Sequence, residues 1–161
     1  MVEWEWLSLG AFAVFSLAVA ALSYATTKAR ADLLGAAFML FLTWPLTLMV
    51  NLVLDPPQSM LIGPVLDAAF AAALLASVRH HYQAWKLVLL GLLVLQAFFH
   101  VIYQSASASE WALYPYIVEL NITYALQLAC VSITGGRDVV LHYRRYGLRG
   151  FRDRNLLDGA Q

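Results

Sequence analysis

The chain has 161 residues, 61% of them hydrophobic and 12% charged, with a mean hydropathy of +0.68 and a formal net charge of zero. An ordinary soluble domain is nearer half apolar and a quarter charged, so the composition excludes one and leaves room for about five bilayer spans of roughly twenty residues. The single cysteine, Cys130, lies in an apolar stretch, which excludes an internal disulfide or a thiolate metal cluster and predicts a packing residue.

The zero net charge conceals a sorting by side. The cations are Lys28, Arg30, Arg79, Lys86, Arg137, Arg144, Arg145, Arg149, Arg152 and Arg154. Apolar stretches separate these clusters, and every second connection holds no Lys or Arg. Threading the stretches alternately puts residues 28–32, 79–86 and 137–161 on one face, the positive-inside pattern, with the N-terminus out and the C-terminus in. Glu3, Glu5, Asp55, Asp67, Glu110 and Glu119 then fall outside or in the outer half, whereas Asp32, Asp138, Asp153 and Asp158 accompany the cations.

In chain order, Glu3 and Glu5 stand where a leader needs cations, which predicts an extracytoplasmic N-terminus with Trp4 and Trp6 at the interface rather than a cleaved leader. The first span is expected over 7–25 and the second over 33–54, where Pro45 after Thr43 and Trp44 lacks a backbone donor and invites a kink. The third, over 60–78, is short if Pro64 begins it and adequate only if Met60 to Gly63 reach into the interface. Its alanines at 68, 69, 71, 72, 73 and 76 predict a helix packed closely by neighbours, with a re-entrant hairpin as the competing reading. The fourth covers 84–103, a serine-alanine loop follows, and the fifth covers 111–133, with Gly135 and Gly136 as its helix stop. The chain thus reads as all-α: a five-helix polytopic membrane domain over 1–134 and a basic cytoplasmic tail over 135–161. In that tail Arg144, Arg145, Arg149, Arg152 and Arg154 alternate with apolar and aromatic residues, a composition expected to rest on anionic lipid headgroups.

Polar residues within the spans recur at helical spacing. Thr43, Thr47, Asn51 and Asp55 step by four, as do Gln96, His100 and Gln104. Span five carries Tyr116, Glu119, Thr123, Gln127, Cys130 and Thr134 at spacings of three and four, with Asn121 between them, and span three adds Asp67. Facing lipid, such stripes are expensive, so they are expected to turn inward. Span counting places Asp67, His100 and Glu119 in the outer third on three different helices. They are expected to meet in one outward-opening site, joined by Asn51, Gln96, Gln104, Asn121 and Thr123 as ligand- or ion-binding residues.

Two carboxylates and an imidazole can bind a cation, relay a proton or simply hold helices in register. They lack the local spacing of a metal motif, and His100 has no partner histidine at its depth for haem, so neither a metal nor a cofactor is expected. Asn121-Ile122-Thr123 matches a glycosylation acceptor but lies within a span. The arginine tail follows directly on a span, which favours lipid over nucleic acid. The favoured expectation is a small non-enzymatic protein of a bacterial cytoplasmic membrane, binding or passing a small ion or polar ligand as a homo-oligomer or accessory subunit. The alternatives are a membrane-permeabilising or exclusion protein of the mobile-element kind, and a membrane enzyme with metal at Asp67, His100 and Glu119.

Overall fold

The computed structural model describes the backbone of residues 2–28, 30–53, 56–105 and 110–158, and side chains within 8–28, 30–43, 45–46, 49, 62–103 and 115–146. Among these residues there are five helices and no strand: α1 Val2–Thr27, α2 Ala31–Val53, α3 Pro56–His80, α4 Ala84–Ser105 and α5 Glu110–Asp158. Four stretches are long and apolar enough to cross a membrane: Ser8–Thr27, Ile62–His80, Ala84–Tyr103 and Pro115–Tyr146. The apolar part of α2 that is described, Ala31–Thr43, is shorter, although the helix runs unbroken through Pro45. A run of 25 residues in α3 rises about 37 Å, beyond the roughly 30 Å of a hydrocarbon core. It is one continuous helix, not a re-entrant hairpin.

Helices adjacent in sequence pack on one another, and α5 is the hub, touching α1, α2 and α4. The α1–α5 seam is made of small residues. Ala13, Ser16, Ala20 and Ser23 are fully buried on one stripe of α1, and Ser16 Oγ meets Ser132 Oγ at 2.8 Å and donates to the Leu128 carbonyl at 3.3 Å. Small side chains let two backbones approach, and the Ser16 hydroxyl then finds partners across the seam, whereas the Ser23 hydroxyl has none among the described residues.

That seam explains why the expected helix stop at Gly135 and Gly136 is absent, α5 running unbroken through them over its full 49 residues, Glu110–Asp158. A Cβ on Gly135 would lie 3.0 Å from Val19 Cγ1 and 3.3 Å from the Val19 carbonyl oxygen. This glycine serves close approach of α1, not a turn. The alanines of α3 are a second correction. Ala68, Ala69, Ala72, Ala73 and Ala76 are exposed, and the helix buries Asp67, Phe70 and Leu74 instead. Because α3 contacts only α2 and α4 among the described residues, most of the described part of its circumference faces outward.

One end of the bundle is fastened by charge. Lys28, at φ 53°, donates its N–H to the Tyr24 carbonyl at 2.8 Å and closes α1 with a left-handed residue. Beyond it Arg30 Nε pairs with Asp138 Oδ2 at 2.7 Å, joining the α1–α2 turn to α5. Lys86, 1% exposed, pairs with Asp32 Oδ2 at 2.7 Å and donates to Ser77 Oγ at 2.8 Å and the His81 carbonyl at 3.1 Å. Three donors and three acceptors leave this buried ammonium satisfied. All five helices meet at this cationic end.

Candidate functional site: a buried Asp-His-Tyr chain

The polar stripes of α3, α4 and α5 converge toward the opposite end. Asp67 and His100 are each 5% exposed, and His100 Nε2 lies 3.1 Å from Asp67 Oδ2. The other ring nitrogen, Nδ1, is 2.5 Å from the Tyr116 hydroxyl. Tyr103, one turn beyond His100 on α4, stacks on the Tyr116 ring with centroids 4.1 Å apart and planes 7° from parallel. On the α3 side Gly63 borders the His100 ring, and a Cβ there would make ordinary contact with it at 3.5 Å. Three helices thus deliver a carboxylate, an imidazole and a phenol into one hydrogen-bonded line.

Glu119 does not join them. Its side chain is exposed, and its carbonyl accepts from Thr123 Oγ1 at 2.8 Å. At 100° per residue Glu119 stands about 60° round the helix from Tyr116, at the outer edge of a stripe whose centre turns inward. The expected trio is therefore replaced by Asp67, His100 and Tyr116. Among the described residues no three of His, Cys, Asp and Glu come together.

One turn along α4 from His100, Gln96 Oε1 accepts from Gln127 Nε2 at 2.9 Å, and Gln127 and Thr123 are 1% and 2% exposed. The polar seam between α4 and α5 therefore continues into the bundle. Tyr124 donates to the Leu40 carbonyl at 2.7 Å, tying α5 to α2. Asn121 is half-buried on a different side, lining a groove of about 280 Å³ with Ser8 of α1, apart from the His100 cluster. Arg144 and Arg145 are exposed on α5. The side chains of Asn51, Gln104, Arg149, Arg152 and Arg154 lie outside the described residues.

Tyr116 stands in the sequence stripe with Glu119, yet charge alone singles out the glutamate. Tyr103 is three residues after His100, a neighbour on the same helix face, and resembles an ordinary aromatic at a span end. A search for any hydroxyl three or four residues from an intramembrane histidine finds Tyr103. The partner across the helix interface needs the fold. No family model, no curated protein and no solved structure matches the chain.

Proposed function

We propose that this is a five-span protein of a cytoplasmic membrane, N-terminus out and C-terminus in, that binds and passes a proton through Asp67, His100 and Tyr116. The observation that carries this reading is the double engagement of His100, with Asp67 on one ring nitrogen and Tyr116 on the other. No ring lone pair is left for a larger cation, whereas a proton needs none beyond those already in the line.

The chain has two self-consistent arrangements. In one, Nε2–H donates to the Asp67 carboxylate and Nδ1 accepts from the Tyr116 hydroxyl. In the other, Nδ1–H donates to the Tyr116 oxygen and a protonated Asp67 donates to Nε2. The second holds one more proton than the first. A proton arriving at Nδ1 releases the Nε2 proton to Asp67, while the Tyr116 hydroxyl turns from donor to acceptor. Burial at this depth makes an isolated charge expensive, which favours moving a single proton along bonded groups over admitting a hydrated ion. The Gln96–Gln127 pair extends the polar seam toward the cationic end.

The exposed Glu119 on an apolar helix suits the accompanying proposal of a homo-oligomer or accessory subunit, because a second protein covers a carboxylate better than lipid does. Function is tested by proton uptake into liposomes carrying the purified protein, driven by a potassium diffusion potential and read by an internal pH dye. Uptake above protein-free liposomes is expected, falling to background in Asp67→Asn and His100→Leu. Wild-type uptake no faster than that of empty liposomes would leave the line a purely structural bond set and sink the proposal.

A further inference from the structure

At the cationic end, far along α5 from Tyr116, the helix runs on past the α1–α2 turn and leaves a cleft of about 310 Å³ whose walls include Arg30, Asp138, Leu141, His142, Arg145 and Tyr146. That volume is at the lower end of small-ligand sites. Its charges are two guanidinium groups against one carboxylate, and that carboxylate is already occupied. Asp138 Oδ2 lies 2.7 Å from Arg30 Nε as an ion pair, and Asp138 Oδ1 accepts an Nη2–H at 3.4 Å. The grip fixes the guanidinium plane and leaves its other N–H groups without a partner among the described residues. Arg145, exposed on the α5 wall, has no partner among them either. The His142 ring is held against Tyr146, with centroids 4.9 Å apart, and completes that wall. Lys28, in the same turn as Arg30, and Arg144, beside Arg145, add to the positive field.

We infer that this cleft binds a phosphate-bearing anion, held between Arg30 and Arg145. A carboxylate has two oxygens, enough for one guanidinium fork. Two forks, one from the α1–α2 turn and one from α5, ask for the additional acceptor oxygens of a phosphate. Leu141 and Tyr146 supply apolar wall beside the charged groups, the mixture that suits a phospholipid headgroup at the membrane surface. Free phosphate or a soluble phosphate monoester presents more unbridged oxygens than a diester headgroup, whose unbridged pair is set tetrahedrally and supplemented by its ester oxygens. The lipid source rests on the topology proposed above; the anion site does not.

Native mass spectrometry of the full chain released from detergent, with phosphatidylglycerol, phosphatidylcholine or inorganic phosphate added, distinguishes these sources. Wild type is expected to retain phosphatidylglycerol over phosphatidylcholine. Arg145→Gln, at an exposed position that leaves the Arg30–Asp138 pair in place, should weaken retention about tenfold. Asp138→Asn, which removes the one carboxylate among the described residues that line the cleft, should preserve or raise it. Retention of phosphatidylglycerol in the presence of excess inorganic phosphate identifies the headgroup as the source. Displacement by phosphate, with phosphate adducts on lipid-free protein, identifies the soluble anion. Equal retention of the two lipids without phosphate adducts, or equal phosphatidylglycerol retention by wild type and the Arg30→Gln/Arg145→Gln double variant, overturns the site.

Discussion

The buried ammonium of Lys86 and the buried imidazole of His100 mark two ways of keeping a titratable group inside an apolar bundle. Lys86 is surrounded by acceptors at one end, Asp32 among them, and holds α2, α3 and α4 together. Removing one member of a buried ion pair strands the other. Because Asp32 is 25% exposed and keeps some water, Lys86→Met should lower stability by about 2 to 3 kcal/mol, less than for a fully enclosed pair. The Lys86→Met/Asp32→Asn double variant should recover part of that loss in a thermal-unfolding series; additive losses would show that the two side chains are not coupled. His100, by contrast, bridges two groups, and Tyr116→Phe deletes only the contact at Nδ1 while keeping the ring stack on Tyr103. In the liposome assay that variant should transfer protons at least about tenfold more slowly than wild type, the scale on which a lost proton-transfer partner is felt. An unchanged rate would remove Tyr116 from the path. Asp67 and His100 were legible as neighbours from span counting, because rise per residue converts sequence position into depth. The exclusion of Glu119 was not, because azimuth accumulates over several turns and a stripe with mixed three- and four-residue steps has a broad edge.

At the scale of the elements, neighbouring glycines in α5 do opposite things. Gly135 lies under Val19, whose β-branched side chain has little freedom to move aside, and whose carbonyl has none. Gly136 has nothing within 4 Å of the place a Cβ would take. Gly135→Ala should therefore destabilise by about 1 to 2 kcal/mol through overpacking. Gly136→Ala should be neutral or stabilise by up to about 1 kcal/mol, since alanine is the better helix former. Matched unfolding curves of the two variants separate these cases, and an equal effect of both would mean that the α1–α5 approach is looser than 3.0 Å implies. The same seam decides how far α5 runs. Paired glycines commonly end helices by offering a left-handed conformation, but here Gly135 sits where α1 crosses, and the inter-helix contact keeps the backbone helical.

For the molecule as a whole, the ion pairs Lys86–Asp32 and Arg30–Asp138 bring cations that are far apart in sequence to one end of the bundle. The proposed topology places that end in the cytoplasm. Single cysteines introduced on a Cys130→Ala background test it. In intact cells a cysteine at Ser107, which lies outside the described residues, should react with an impermeant thiol reagent. One at Tyr82, 73% exposed in the α3–α4 turn, should react only after permeabilisation. The reverse pattern would invert the orientation, and reaction at both positions would defeat the alternating scheme.

Composition and the spacing of apolar stretches were enough to determine an all-helical, membrane-compatible chain and the gross location of its elements, because hydropathy and cation placement are additive along a sequence and do not depend on which helices are neighbours. The inward turn of His100, Thr123 and Gln127 followed from the same logic, since unsatisfied polar groups avoid lipid. Tertiary structure decided the partners. It joined Lys86 to Asp32 and Arg30 to Asp138, set Tyr116 against His100 where a glutamate was expected, exposed the alanines of α3, and carried α5 through its glycines. Each of these depends on the rotation of one helix about its axis relative to another. That rotation is chosen by close packing of the whole bundle, in which Ser16, Ala20 and Gly135 have as much weight as any charged residue.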